Sequence, residues 1–253
     1  MIGLILLLFV IGSVIFIHQV LSSFCSTKIF SNKISKALFY LSALFGTPIH
    51  ELSHAFVAVI FGHKIQAIKF FQAGADGRLG YVKHQWNTRS VYQSVGVFFI
   101  ALAPLFTAFL FIHLLLNNLA FPIQSFVLQI DVATLQTISF AVLDYFWNTS
   151  TQIVRYSLNS LENTMWLVLI SLLCFHCIPS RTDFGNALKG SVIVILLLSI
   201  LWGVSYLFNL HHQQWMLAMF NWSVNMSSLI AIVSLLSMFW WLILTLPSIA
   251  FRA

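Results

Sequence analysis

Acidic side chains are almost missing from this chain of 253 residues: six Asp and Glu stand against twelve Lys and Arg, and charged residues make up 7% of the total. Soluble domains carry about 25% charged residues, so a water-exposed globule is excluded. Cysteine is equally scarce. Cys25, Cys174 and Cys177 make no disulfide framework. Cys174-Phe175-His176-Cys177 is a CxxC, but it lacks the strand–helix context of a redox motif, and its thiols read as packing residues. No basic surface interleaved with aromatics is present, so the net charge of +6 does not point to nucleic acid, and none is expected as a partner. A positive n-region is missing at the N-terminus, so the first apolar segment reads as an uncleaved helix and not as a signal peptide.

What the chain has in abundance is apolar material: 60% of its residues are hydrophobic and 25 are Phe. That composition predicts an all-α, polytopic membrane protein embedded in a lipid bilayer. Apolar segments at 2–24, 37–62, 92–117, 163–179, 190–209 and 226–250 give about six transmembrane helices. The chain reads as one membrane-embedded domain, 1–253, with no repeat or separate soluble unit. Residues 118–162 are more polar, hold Asp131, Asp144, Arg155 and Glu162, and read as an extramembrane or interfacial excursion. Residues 63–90 are too polar to span. Ile65–Phe70 alternates in part, Gly74-Ala75-Asp76-Gly77 is a turn signal, and Leu79–Val82 follows, which predicts a short β-hairpin.

Charge sets the orientation. With the N-terminus inside, Lys64, Lys69, Arg78, Lys83, Arg89, Arg181, Lys189 and Arg252 fall on the cytoplasmic side, and Lys28, Lys33, Lys36 and Arg155 outside. That excess favours a multi-pass protein of the plasma (inner) membrane with a cytoplasmic N-terminus.

Within the second apolar segment stands His50-Glu51-Leu52-Ser53-His54, an HExxH. Residues four apart share a helix face, so both histidines can bind one Zn²⁺, and Glu51 can take a proton from a water that the metal activates. Ionisable groups at membrane depth are costly and usually mark function. Thr47-Pro48 reads as an N-cap and first helical residue, predicting a helix that restarts after a kink at Gly46 with His50 in its first turn.

A catalytic zinc takes three protein ligands and leaves one position open. Few acids are available to complete the set. Asp131, Asp144 and Glu162 belong to the excursion and Asp76 to a turn; Asp183 alone adjoins a membrane helix. Pro179 and Gly185 break regular helix around it and would let its carboxylate fold back into the bundle. An Asp that pairs with Arg181 or caps the next helix is the competing reading, and His176 is the rival ligand. Ser42, Thr47, Ser53, Thr107, Ser180, Thr182 and Asn186 are candidates to line a hydrated cavity. The alternative is that these hydroxyls bond to their own backbone.

The chain resembles the site-2 protease family of intramembrane zinc metalloproteases over about residues 40–190, its metalloprotease core. The likeness is carried by His50-Glu51-Leu52-Ser53-His54 and by Pro179-Ser180-Arg181-Thr182-Asp183-Phe184-Gly185, where Phe184 separates the family's Asp from its Gly. Ala103-Pro104-Leu105-Phe106-Thr107 is similar to a Gly-Pro-x-x-Asn-like turn of the family, with Ala for Gly and Thr for Asn. The resemblance implies His50, His54 and Asp183 as zinc ligands, Glu51 as general base, a membrane-associated hairpin after the HExxH helix, and transmembrane proteins as substrates.

Three other readings make different demands. A zinc protease with glutamate as third ligand needs Glu162 to face the site. A metal transporter or channel needs His and Asp side chains at several depths. A non-catalytic membrane scaffold would carry the motif by chance, and the intact Glu51 speaks against that.

Overall fold

A computed structural model describes residues 2–72, 79–118, 126–127, 135–208, 210 and 212–250. Among these residues the fold is all-α apart from one pair of strands. In chain order the elements are α1 (Ile2–Ser31), α2 (Lys33–Ile60), β1 (Lys64–Lys69), β2 (Tyr81–Gln85), α3 (Val91–Asn118), α4 (Leu135–Ser157), α5 (Leu161–His176), α6 (Arg181–Leu207) and α7 (His212–Ala250). Five of these helices, α1, α2, α3, α6 and α7, are long and apolar enough to cross a membrane, as a multi-pass membrane protein requires.

The sixth expected span is different. α5 has 16 residues, ~24 Å of helix against a hydrocarbon core of ~30 Å. It ends at His176, and the chain reverses over Cys177–Ser180, where Cys177 and Pro179 are buried. Irregular backbone of this kind survives at membrane depth only where protein covers it. The reversal is what brings the start of α6 to the middle of α2.

Two local expectations are corrected. α2 runs unbroken from Lys33 to Ile60 with Pro48 inside it, so His50 is not in a first turn. Its start is set by Asn32, whose side-chain oxygen accepts from the Ile34 and Ser35 amides at 2.9 and 3.1 Å. Gly46 is no hinge but a close approach: a Cβ there would lie 2.4 Å from His176 Cβ and Cγ, so α5 can seat against α2 only over a glycine. Gly185, expected to break helix, lies inside α6.

β1 and β2 pair antiparallel, from Lys64 opposite Gln85 to Lys69 opposite Tyr81, with an irregularity between Ile65 and Ala67. The expected hairpin strands are thus present. The turn at Gly74–Gly77, with Asp76, lies outside the described residues, as does Asp131. Within the excursion, α4 buries Ile153 into the main apolar cluster and turns Phe140, Leu143 and Trp147 outward.

α7 is the spine of the bundle. Leu229 and Val233 pack with Ile112 and Leu116 of α3 and Cys174 of α5, while Met226 and Ile230 join Ile11 and Ile15 of α1 and Leu102 of α3. Its buried Ser227, Ser234 and Ser237 keep the helix slim where α1 crosses it. Leu188, Val192, Leu196 and Ile200 repeat every fourth residue on α6 and point outward, the stripe a lipid-facing helix presents.

Candidate metal centre

His50 and His54 lie one turn apart on α2, and their Nε2 atoms are 3.0 Å from each other. Asp183, in the first turn of α6, completes a triangle: its Oδ2 is 3.7 Å from His50 Nε2 and its Oδ1 is 3.6 Å from His54 Nε2. Among the described residues this is the one group of three metal-ligating side chains close enough to share an ion. The short α5 lets the start of α6 reach the depth of His50.

The far side of each imidazole is tied to backbone. His54 Nδ1 donates to the carbonyl of Ile100 on α3 at 2.6 Å, and His50 Nδ1 donates to the carbonyl of His176 at 2.8 Å. In its neutral form each ring therefore carries its proton on Nδ1 and turns a bare Nε2 lone pair toward the same point. Two lone pairs 3.0 Å apart repel unless a cation lies between them. A tetrahedral ion with ligands at ~2.0–2.1 Å would separate the ligand atoms by ~3.4 Å. The observed separations of 3.0, 3.6 and 3.7 Å bracket that value, so the residues fit a metal ion. A donor set of two imidazoles and one carboxylate suits zinc and its first-row neighbours.

Asp183 holds two jobs that the sequence posed as alternatives. With Ser180 it forms a capping box on α6: its Oδ2 accepts from the Ser180 amide at 2.8 Å and from the Ser180 hydroxyl at 2.6 Å. The cap fixes the carboxylate at the helix start, and the same carboxylate faces the histidines.

His176, the rival ligand, is not in the triangle. Its Nε2 donates to Ser42 Oγ at 3.0 Å, and only its carbonyl reaches the site, through His50. Glu162 sits in the first turn of α5, 14 residues or ~21 Å of helix from His176, so the glutamate-ligand reading finds no glutamate here. Asp144 accepts from Asn148 on α4, and His18 is buried between α1 and α7 against Trp241.

Glu51, buried beside His50, borders a cavity of about 760 Å³ with Thr47, His54, Asp183 and, from the hairpin side, Gly80, Tyr81, His84 and Trp86. Of the hydroxyl and amide residues expected to wet it, Thr47, Ser180, Thr182 and Asn186 do line it. Ser42, Ser53 and Thr107 instead donate to the carbonyls of Phe39, His50 and Ala103 one helical turn back.

Several contributors escaped the sequence. Gly80 lies against Glu51, and the carbonyls of Ile100 and His176 hold the rings. At the rim of the hairpin, His84 Nδ1 and His63 Nδ1 are 2.9 Å apart and His63 Nε2 donates to the Gln93 carbonyl at 2.8 Å. Backbone acceptors carry no residue signature. No protein-family model, curated protein or solved structure matches this chain.

Proposed function

We propose that this chain is an intramembrane zinc metalloprotease of the site-2 protease kind, hydrolysing peptide bonds in or near transmembrane segments of membrane-protein substrates. One observation carries the reading: His50, His54 and Asp183 converge from two apolar helices beside Glu51, at a polar cavity ~15 Å of helix from the end of α2. Groups so costly in an apolar bundle are kept for chemistry.

Bound there, Zn²⁺ would supply a water made acidic enough to ionise near neutral pH. The chain's residues do the rest. His50, His54 and Asp183 hold the ion, with the rings locked in one tautomer. Glu51 takes the proton of the attacking water on its carboxylate and delivers it to the departing amide nitrogen. Thr47, Ser180, Thr182 and Asn186 keep water at the cavity wall. A helical substrate must unwind before it is cut, and β2, which borders the cavity, offers backbone groups to an extended segment. The excess of basic residues in segments assigned to the inside supports a cytoplasmic N-terminus in a plasma (inner) membrane.

The test is Glu51→Gln in liposomes with a transmembrane reporter. Zinc content should stay at the wild-type level while cleavage falls by ~10²–10⁴, the usual worth of a general acid–base. Wild-type turnover by Glu51→Gln would sink the mechanism.

A further inference from the structure

Pro104 stands inside α3, fully buried, where a transmembrane helix would ordinarily continue its ladder of amide-to-carbonyl bonds. In that ladder the amide of residue 104 would donate to the carbonyl of residue 100. Proline has no N–H, so the carbonyl of Ile100 loses its partner, and its ring crowds the same carbonyl aside. Freed backbone groups in a membrane helix must be satisfied by a neighbour. The neighbour is His54, whose Nδ1 donates to Ile100 at 2.6 Å.

His50 repeats the arrangement by other means. Its acceptor is the carbonyl of His176, the last residue of α5. The next two candidate donors down the chain are lost to it: Pro179 has no N–H, and the Ser180 amide is taken by Asp183. Each ring is thus held by a carbonyl that a proline helps to leave open.

We propose that Pro104 is a positioning residue of the metal centre. By withholding one amide it reserves the Ile100 carbonyl for His54, fixes the Nδ1–H tautomer and turns Nε2 toward the ion. This rests on the metal site proposed above. Groups that orient a metal-bound histidine are typically worth ~10–100-fold in metal affinity. A proline that merely bent or filled α3 would affect folding and leave the tautomer of His54 alone.

The test uses the full chain in detergent and Zn²⁺ alone as probe, titrated against a chromophoric chelator. In Pro104→Ala the new amide competes for Ile100, although helix propensity favours the substitution. Zinc affinity should fall ~10–100-fold while the apo protein keeps its elution profile and melting midpoint. Pro247→Ala, which alters another in-helix proline on α7, should bind zinc like the wild type. Unchanged affinity in Pro104→Ala overturns the proposal, whereas a wild type that takes up no zinc overturns the metal site itself and this role with it. Should Pro104→Ala fail to fold, nitrogen-15 spectra of the histidine-labelled, zinc-loaded wild type decide the matter. His54 with a protonated, slowly exchanging Nδ1 supports the role; zinc on Nδ1, or an unprotonated Nδ1, refutes it.

Discussion

Gly80 has no room for a side chain. A Cβ there would lie 2.7 Å from Glu51 Cγ and 2.9 Å from both the Lys69 carbonyl oxygen and Thr47 Cγ2. The approach to β2 therefore rests on the side chain of Glu51, whose carboxylate the proposed mechanism uses for proton transfer, and backbone on one side leaves little slack. Gly80→Ala should push the strand off Glu51 while leaving His50, His54 and Asp183 in place. Zinc content should match the wild type, and reporter cleavage should fall ~10²-fold, the cost of a misplacement near 1 Å. Full activity in that variant would mean that the hairpin's seat on Glu51 does not matter. At this scale the sequence was readable wherever the chemistry is local. The spacing of His50 and His54 announces a shared helix face before any fold is known. Asp183 becomes a candidate only because acids are so few that elimination leaves it, and the spacing alone does not choose between it and His176. Gly80 and the carbonyls of Ile100 and His176 act through tertiary contact, which no residue pattern records.

The hairpin is an element with a titratable fastening. His84 on β2 packs against Trp86 and meets His63 in the turn between α2 and β1, while His63 in turn is held by the Gln93 carbonyl on α3. Burial, reinforced by the neighbouring His63 and His54, pushes the His84 imidazole down to about 4. An unpacked hairpin would take up a proton near ~6.5, and the packed one refuses it. The contribution of His84 is therefore complete above ~6.5 and is lost as pH falls through about 4. Hydrogen exchange, corrected for intrinsic rates, should show protection of the β1 and β2 amides weakening between pH 6.5 and pH 4, and His84→Gln should flatten that slope. Protection that does not change with pH in the wild type would remove His84 as the fastening. The elements themselves were legible in proportion to their hydropathy. Long apolar runs gave the five spanning helices, and alternation around a turn signal gave the strands. Pro48 misled because a helix packed on both sides tolerates a missing amide. The expected span at 163–179 runs past the end of α5 because Cys177–Pro179 is as apolar as the helix before it, and only the packing against Gly46 and the cap at Ser180 mark where it stops.

In the whole molecule the candidate metal site joins two helices that otherwise depend on others. α2 packs on α3 and α5, and α6 packs on α3; α2 and α6 meet mainly where His50 and His54 face Asp183. His54 is buried there and His50 and Asp183 partly so, and two neutral imidazoles with lone pairs aimed at each other are poorly matched without a cation between them. A ligand that binds only the folded state stabilises it by about 2.7 kcal/mol at a hundredfold excess over its Kd. For a chain of this size that corresponds to a shift of very roughly 5–10 °C in Tm. Stripping zinc with a chelator should lower the midpoint of the wild type by that order, and Glu51→Gln should respond equally because Glu51 does not hold the ion. Asp183→Asn is the informative variant. Its side-chain oxygen can still accept from the Ser180 amide, so the cap on α6 survives while the anionic ligand is gone. It should melt near the stripped wild type with or without added zinc. A zinc-dependent midpoint in Asp183→Asn as large as that of the wild type would show that α6 supplies no ligand, and the link between α2 and α6 would have to be sought elsewhere.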